Sequence, residues 1–160
     1  MSVMFTRNGF AAAALICAIA ASPVSSAQPT EPVLFPHKDL IDRVAKTKSG
    51  LAASTLPTGS NAIAIQVRRE KSGEVEIHEA HEDIFVAQQG RATVVVGTAE
   101  GMTKTAAGEW RGGTLKESRR YELAPGDVLW IPAGLAHQML LPRGKSFNYL
   151  ALKFNAPPSR

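Results

Sequence analysis

Four histidines and the carboxylates near them are the residues of this 160-residue chain whose types and spacing could do chemistry. Imidazole and carboxylate groups can ligate a divalent metal ion or move protons. Glu76 and His78 stand two positions apart, so on a β-strand their side chains share one face. Asp83 follows closely, whereas His37 follows a proline and is predicted to be an ordinary surface residue. The histidines are His37, His78, His81 and His137.

The elements that must position these residues are predicted to be short β-strands. Glycine (13) and proline (10) are frequent, which favours many turns over a helix bundle. Beyond residue 61, apolar and polar residues alternate with a period of two in several stretches bounded by turn residues. About eight strands without strand–helix–strand alternation indicate an all-β sandwich or barrel. A short helix is predicted within residues 37–48, and residues 51–60 are predicted to be a loop.

One stretch has turn residues at a distinctive spacing. Gly126 opens a turn into an apolar strand. Pro132 and Gly134 form the next turn, and His137 follows three residues later. This pattern closely resembles the second sequence motif of the cupin superfamily, with all four residues at the family's spacing. The family usually has Asn four residues after that histidine, where this chain has Leu141.

The first cupin motif, which contains two histidines, a glutamate and a closing glycine, is matched in part. With Gly90 as the closing glycine, Asp83 takes the glutamate position. His78 takes the position of the second histidine, and Glu76 takes that of the first. His81 lies in a predicted turn and has no motif position of its own.

The resemblance implies a cupin double-stranded β-helix, a jelly-roll barrel, over residues 61–155. In metal-binding cupins the motif residues converge on one divalent ion inside the barrel. Two histidines with carboxylates would suit Fe, Mn, Ni or Zn. The ligands implied here are His78 and His137, with Asp83 as the carboxylate, Glu76 as a fourth ligand, and His81 as a third imidazole if its turn folds inward.

The fold alone leaves two functional hypotheses open. The first is a metal-dependent enzyme, an oxygenase or isomerase acting on a small molecule. The second is a metal-free ligand-binding or structural cupin without catalytic activity. Against the first, only Glu76 and Glu82 are evident as separate general bases. Against the second, three histidines in or beside motif positions are more than a scaffold needs.

Residues 1–27 are predicted to be a secretory signal peptide, cleaved after Ala27. Arg7 is the only charge, and the apolar run that follows is shorter than the roughly 20 residues that span a bilayer. We therefore expect an exported protein, periplasmic or secreted, without a stable membrane anchor. The alternatives are an uncleaved anchor and a lipoprotein modified at Cys17, against which stands the bulky Ile16. Loss of this segment removes the one cysteine, so no disulfide or thiolate ligand is expected.

Composition and strand pattern narrow the expected partners. The net charge is a modest +4 and aromatic residues make up 6%, so no nucleic-acid partner is expected. A small-molecule ligand is expected in the barrel. Residues 28–60 are predicted to be an N-terminal arm with the short helix. The first strand of the barrel, around Ile63 and Ile65, is apolar or small on both faces, which favours a homodimer.

Overall fold

The structure is a computed structural model that describes residues 29–59 and 61–156. The predicted signal peptide over residues 1–27 lies outside the described residues. In the described part, no helix is long and apolar enough to cross a membrane. The elements are α1 (His37–Arg43), β1 (Leu51–Leu56), β2 (Ala62–Arg69), β3 (Val75–His78), β4 (His81–Gly90), β5 (Ala92–Glu100), β6 (Thr103–Ala106), β7 (Glu109–Arg111), β8 (Thr114–Leu123), β9 (Val128–Ile131), β10 (Ala136–Leu140) and β11 (Phe147–Asn155).

Two antiparallel sheets enclose one apolar core, which confirms the predicted all-β jelly roll. The first sheet has the strand order β1-β2-β11-β4-β9, and the second has the order β6-β7-β3-β10-β5-β8. Alternate residues of each strand point inward, because successive side chains of a strand point to opposite faces. The core between the sheets includes Phe85, Val94, Met139, Phe147 and Tyr149.

The segment before the barrel contributes a strand that the sequence pattern does not reveal. Residues 51–56, predicted to be part of a loop, form β1, and every residue of β1 pairs with a residue of β2. Small and polar residues fill β1, so its sequence lacks a clear alternation of apolar positions. The helix α1 ends at Arg43, earlier than predicted, where Val44 leaves helical geometry and is fully buried.

The outer face of the first sheet is covered in part by α1. Leu40 of α1 packs with Leu56 of β1 and Ala64 of β2, and Leu150 and Leu152 of β11 lie against this cluster. The outward phase of β2 is therefore covered within the chain itself. The apolar character of both faces of β2 thus needs no second copy to explain it, and the homodimer stays a prediction.

The turns on either side of β9 have the backbone that the sequence motif predicts. Gly126 has φ +96° and Gly134 has φ +80°, a region that favours glycine. The amide of Gly134 donates a hydrogen bond to the carbonyl of His78 at 2.9 Å. The second motif is thereby joined directly to the strand that carries the first. Within β9, Ile131 is buried and Trp130 is exposed, so Ile131 is on the inward face.

Candidate metal centre

Two histidines and one glutamate converge inside the barrel. Glu76 and His78 lie on β3, and β10 places His137 directly opposite Glu76 in the antiparallel register. Both histidines are almost completely buried, and their ring centroids are 5.5 Å apart. One ligand atom from each of the three residues lies within 4.8 Å of the other two. The prediction that the two motif imidazoles lie close together is therefore confirmed.

The hydrogen bonds of the two imidazoles direct the same ring nitrogen of each toward this group. The Nδ1–H of His78 donates to Oε2 of Glu109 at 2.7 Å, and that of His137 donates to the carbonyl of Leu135 at 3.1 Å. Each Nε2 therefore keeps a free lone pair in the neutral ring. The Nε2 of His137 is buried and has no hydrogen-bond partner among the described residues. A buried polar atom without a partner is costly, and a bound cation would remove that cost.

Charges around the site favour the forms of these residues that bind a metal. Burial opposes ionisation of Glu76, but its contact with His78 and the charges of Arg111 and Arg69 hold its pKa well below the usual value. The guanidinium of Arg69 lies 3.6 Å from Oε1 of Glu76. Burial lowers the pKa of His137 despite the nearby carboxylates, so its neutral ring is favoured. Two neutral imidazole nitrogens and a carboxylate fit a divalent ion such as Fe, Mn, Ni or Zn.

Asp83 lies beside the three residues but outside their group. Its Oδ2 is 3.7 Å from Nε2 of His78 and 3.9 Å from Nε2 of His137. Its other oxygen, Oδ1, accepts a hydrogen bond from Nζ of Lys153 at 2.6 Å. The resemblance implies Asp83 as the carboxylate ligand and Glu76 as a fourth ligand. In the structure Glu76 joins the imidazoles instead, and a lysine neutralises Asp83.

His81 is the predicted ligand that the structure does not bring into the group. It is the first residue of β4 and pairs with Asn155 of β11. It is two residues from Asp83, so it lies on the same inward face, one step nearer the end of the barrel. Its ring is partly exposed, and its Nδ1 has no hydrogen-bond partner in the described part of the chain.

The fold of this site can be compared with known proteins. No family model matches the sequence, and no curated protein matches it either. Solved structures do match. The protein TT1209 from Thermus thermophilus gives a TM-score of 0.53 at 18% identity, covering 73% of this chain and 95% of that one. Oxalate decarboxylase from Lactobacillus farciminis, solved as a formate complex, gives 0.51 at 18% identity, covering 70% and 31%.

The cupin domain of Cnp3 from Schizosaccharomyces pombe gives a TM-score of 0.50 at 12% identity, covering 66% of this chain and 61% of that one. The chain has the cupin fold. The motif residues of this cupin barrel lie at its interior, with Glu76, His78 and His137 on neighbouring strands of one sheet and Asp83 on the other sheet.

Several residues around this cupin site carry no sequence signal that points to it. Glu109 lies on the three-residue strand β7, within a stretch rich in Gly and Thr. Lys153 lies on β11, well beyond the second motif. Arg69 donates to the hydroxyl of Tyr149 at 3.0 Å, and burial raises the pKa of Tyr149, so the phenol stays protonated. Only pairing across strands far apart in sequence brings these residues to the site.

A surface cleft is separate from this cupin site. A cleft of about 550 Å³ lies at the opposite end of β4 from Asp83 and includes Gly90, Pro125 and Pro142 among its lining residues. None of the residues described above as site residues lines it. The chemistry of the chain therefore concentrates at the other end of the barrel.

Proposed function

We propose that this chain is an exported cupin that binds a small molecule through a divalent metal ion held by His78, His137 and Glu76. The observation that carries the proposal is the buried Nε2 of His137. Within residues 29–59 and 61–156 it has no hydrogen-bond partner, and it belongs to a group with a second imidazole and a carboxylate. The hydrogen bonds from Nδ1 of each histidine fix the tautomers that such binding needs.

The ligand set favours a catalytic role for the bound ion. Two histidines and one carboxylate on one side of an ion leave coordination positions open for a small molecule. A divalent ion bound there would supply Lewis-acid chemistry, which suits an oxygenase or an isomerase. The chain's own residues keep Glu76 ionised through Arg69 and Arg111. Phe85, whose ring lies edge-on to His137 with centroids 6.0 Å apart, is a buried apolar neighbour of the site.

Elemental analysis of the purified protein tests the metal site. After the protein is offered Fe, Mn, Ni and Zn and dialysed, we expect about one bound ion per chain. Replacement of His137 by Ala should weaken binding by at least ~100-fold, because it removes a ligand. Replacement of His81 by Ala is the matched control and should leave the affinity within about threefold. A wild-type protein that retains none of the four metals would favour the metal-free ligand-binding cupin instead.

Export is the second part of the proposal, and it is supported by the sequence of residues 1–27 alone. Intact-mass analysis of the protein from its native cell tests it. We expect a mature species that begins at Gln28 and is found outside the cytoplasm. A full-length cytoplasmic species that begins at Met1 would contradict export and leave the metal site unaffected.

A further inference from the structure

The edge strand β8 carries an arginine in the same cross-strand row as His137, one of the three residues proposed to bind the metal. In the second sheet, Val96 of β5 pairs with His137 on one side and with Arg119 on the other. Directly paired residues of an antiparallel sheet share a face, so Arg119 lies on the same inward face as His137. Two strand spacings separate them, roughly 9.6 Å between their Cα atoms.

An irregularity in the sheet places this arginine in the row. The register of β5 and β8 shifts between Val96 and Thr98, and β8 has one extra residue there. Continued without the shift, the pairing of Thr98 with Lys116 would set Ser118 opposite Val96. The extra residue sets Arg119 there instead. Such bulges commonly redirect a side chain at a functional site.

Arg119 differs from the other cations near the site because it has no partner in the part of the chain that the structure describes. Arg69 pairs with Glu76, Arg111 with Glu109, and Lys153 with Asp83. Arg119 is exposed, and among the described residues it makes no side-chain hydrogen bond or ion pair. Its guanidinium is therefore free to bind an anion. The three paired cations are thus engaged by three carboxylates, whereas a bound divalent ion and Arg119 would add positive charge to the site.

The residue between His137 and Arg119 in this row is apolar. Val96 pairs with both of them and packs against the core. Tyr121, two residues from Arg119 on the same face, is partly exposed beside Val94. A ligand that extends from the metal site to Arg119 would therefore pass over the hydrocarbon side chain of Val96.

We propose that Arg119 binds a carboxylate at one end of the ligand. A polar group at the other end completes the coordination of the metal, and a spacer of a few carbons between the two ends lies along Val96. A guanidinium binds a carboxylate through two parallel hydrogen bonds, which gives orientation as well as affinity. The metal end of this ligand rests on the proposed function, whereas the Arg119 end does not.

Calorimetric titration with adipate and hexanoate tests the proposal. The two acids have chains of equal length, but only adipate carries a second carboxylate. We expect the zinc-loaded wild type to bind adipate about 10-fold more tightly than hexanoate, as a charge-assisted bidentate contact allows. Arg119→Gln should reduce this ratio to about one, whereas Arg120→Gln should preserve it. Arg120 is the matched control because it pairs with Val95 and faces the other side of the sheet.

The same titrations on metal-free protein separate this proposal from the metal site. A preference for adipate that depends on Arg119 in either form supports the proposal, even if the wild type binds no zinc. The proposal is overturned if neither form prefers adipate. It is also overturned if Arg120→Gln lowers the preference as much as Arg119→Gln does, because the effect would then come from overall charge. Circular dichroism of both variants checks that each is folded.

Discussion

Each histidine of the proposed centre is oriented by a different kind of acceptor. A side-chain carboxylate, that of Glu109, holds His78, whereas a backbone carbonyl, that of Leu135, holds His137. An imidazole that donates to a carboxylate becomes more basic than one that donates to a neutral carbonyl. The carboxylate can also be removed by substitution while the backbone carbonyl cannot, so His78 is where the role of ring orientation can be measured.

Replacement of Glu109 by Gln should lower zinc affinity by about 10- to 100-fold, because the acceptor that orients His78 loses its charge. Glu79→Gln is the matched control, since Glu79 accepts from the indole of Trp110 on an exposed surface and does not contact the group. Competition with a chromophoric chelator measures both affinities. Equal affinities for the two variants would show that Glu109 does not support the metal site.

Stability of the metal-free protein should depend on pH through His137. Burial lowers its pKa in the folded state, while in the unfolded chain the value is about 6.5. The unfolded state therefore binds more protons as pH falls below about 6.5, and the free energy of unfolding decreases there toward the folded-state pKa. One such group contributes a slope of at most ~1.4 kcal/mol per pH unit.

Urea unfolding at several pH values between about 7.5 and 5 measures this slope. His137→Gln should flatten the dependence in that interval, because glutamine does not titrate. If the variant keeps the slope of the wild type, His137 is not the group responsible.

At the scale of elements, two turn glycines should respond differently to the same substitution. Gly134 has φ +80°, but a Cβ there would meet nothing within 4 Å, so Gly134→Ala should cost about 1 kcal/mol of backbone strain. Gly90 also has φ +80°, and a Cβ there would lie 2.1 Å from the carbonyl oxygen of Ser146. Gly90→Ala should therefore lower the free energy of unfolding by clearly more.

Thermal or urea unfolding of the two glycine variants gives this comparison directly. Equal losses would mean that β11 moves freely away from Gly90. No loss in either variant would contradict the requirement for a left-handed backbone at both turns.

The strands that sequence could predict are those with regular alternation and glycine or proline at their ends. This holds for β9 and β10, whose turn residues also place His137. It fails for β1, whose side chains are mostly small or polar and whose existence depends on pairing with β2. It fails again for Glu109, because a residue on the three-residue strand β7 becomes part of the site only through its pairing with β3.

The sequence could not show which carboxylate joins the imidazoles, for a related reason. Motif spacing places both Glu76 and Asp83 near the histidines, and the structure agrees. Which of them joins the imidazoles depends on Lys153, which holds Asp83 from a strand 70 residues further along the chain. Long-range pairing of charges has no local signature, so spacing alone could identify the neighbourhood of the site but not its ligand set.

At the scale of the whole molecule, the outer face of the first sheet is only partly covered. Val128 and Trp130 of β9 are 62% and 55% exposed. They pair with Val86 and Ile84 of β4, so these apolar side chains form adjacent rows on that face. Apolar patches of this kind commonly mark contacts between proteins.

We expect this patch to bury against a second copy, giving a homodimer. Light scattering at micromolar concentration should give twice the monomer mass. Trp130→Ser should shift the protein toward the monomer, whereas Trp110→Ser on the other sheet should not. A monomer mass for the wild type would contradict the dimer.

The proposed function depends on a divalent ion that binds between β3 and β10. Anomalous diffraction from a crystal grown with zinc tests it most directly, because the signal locates the ion independently of any activity. We expect one strong peak at about 2.0–2.1 Å from Nε2 of both His78 and His137, with a carboxylate oxygen of Glu76 at a similar distance. No peak between these residues, or a peak only at His81 or His37, would contradict it.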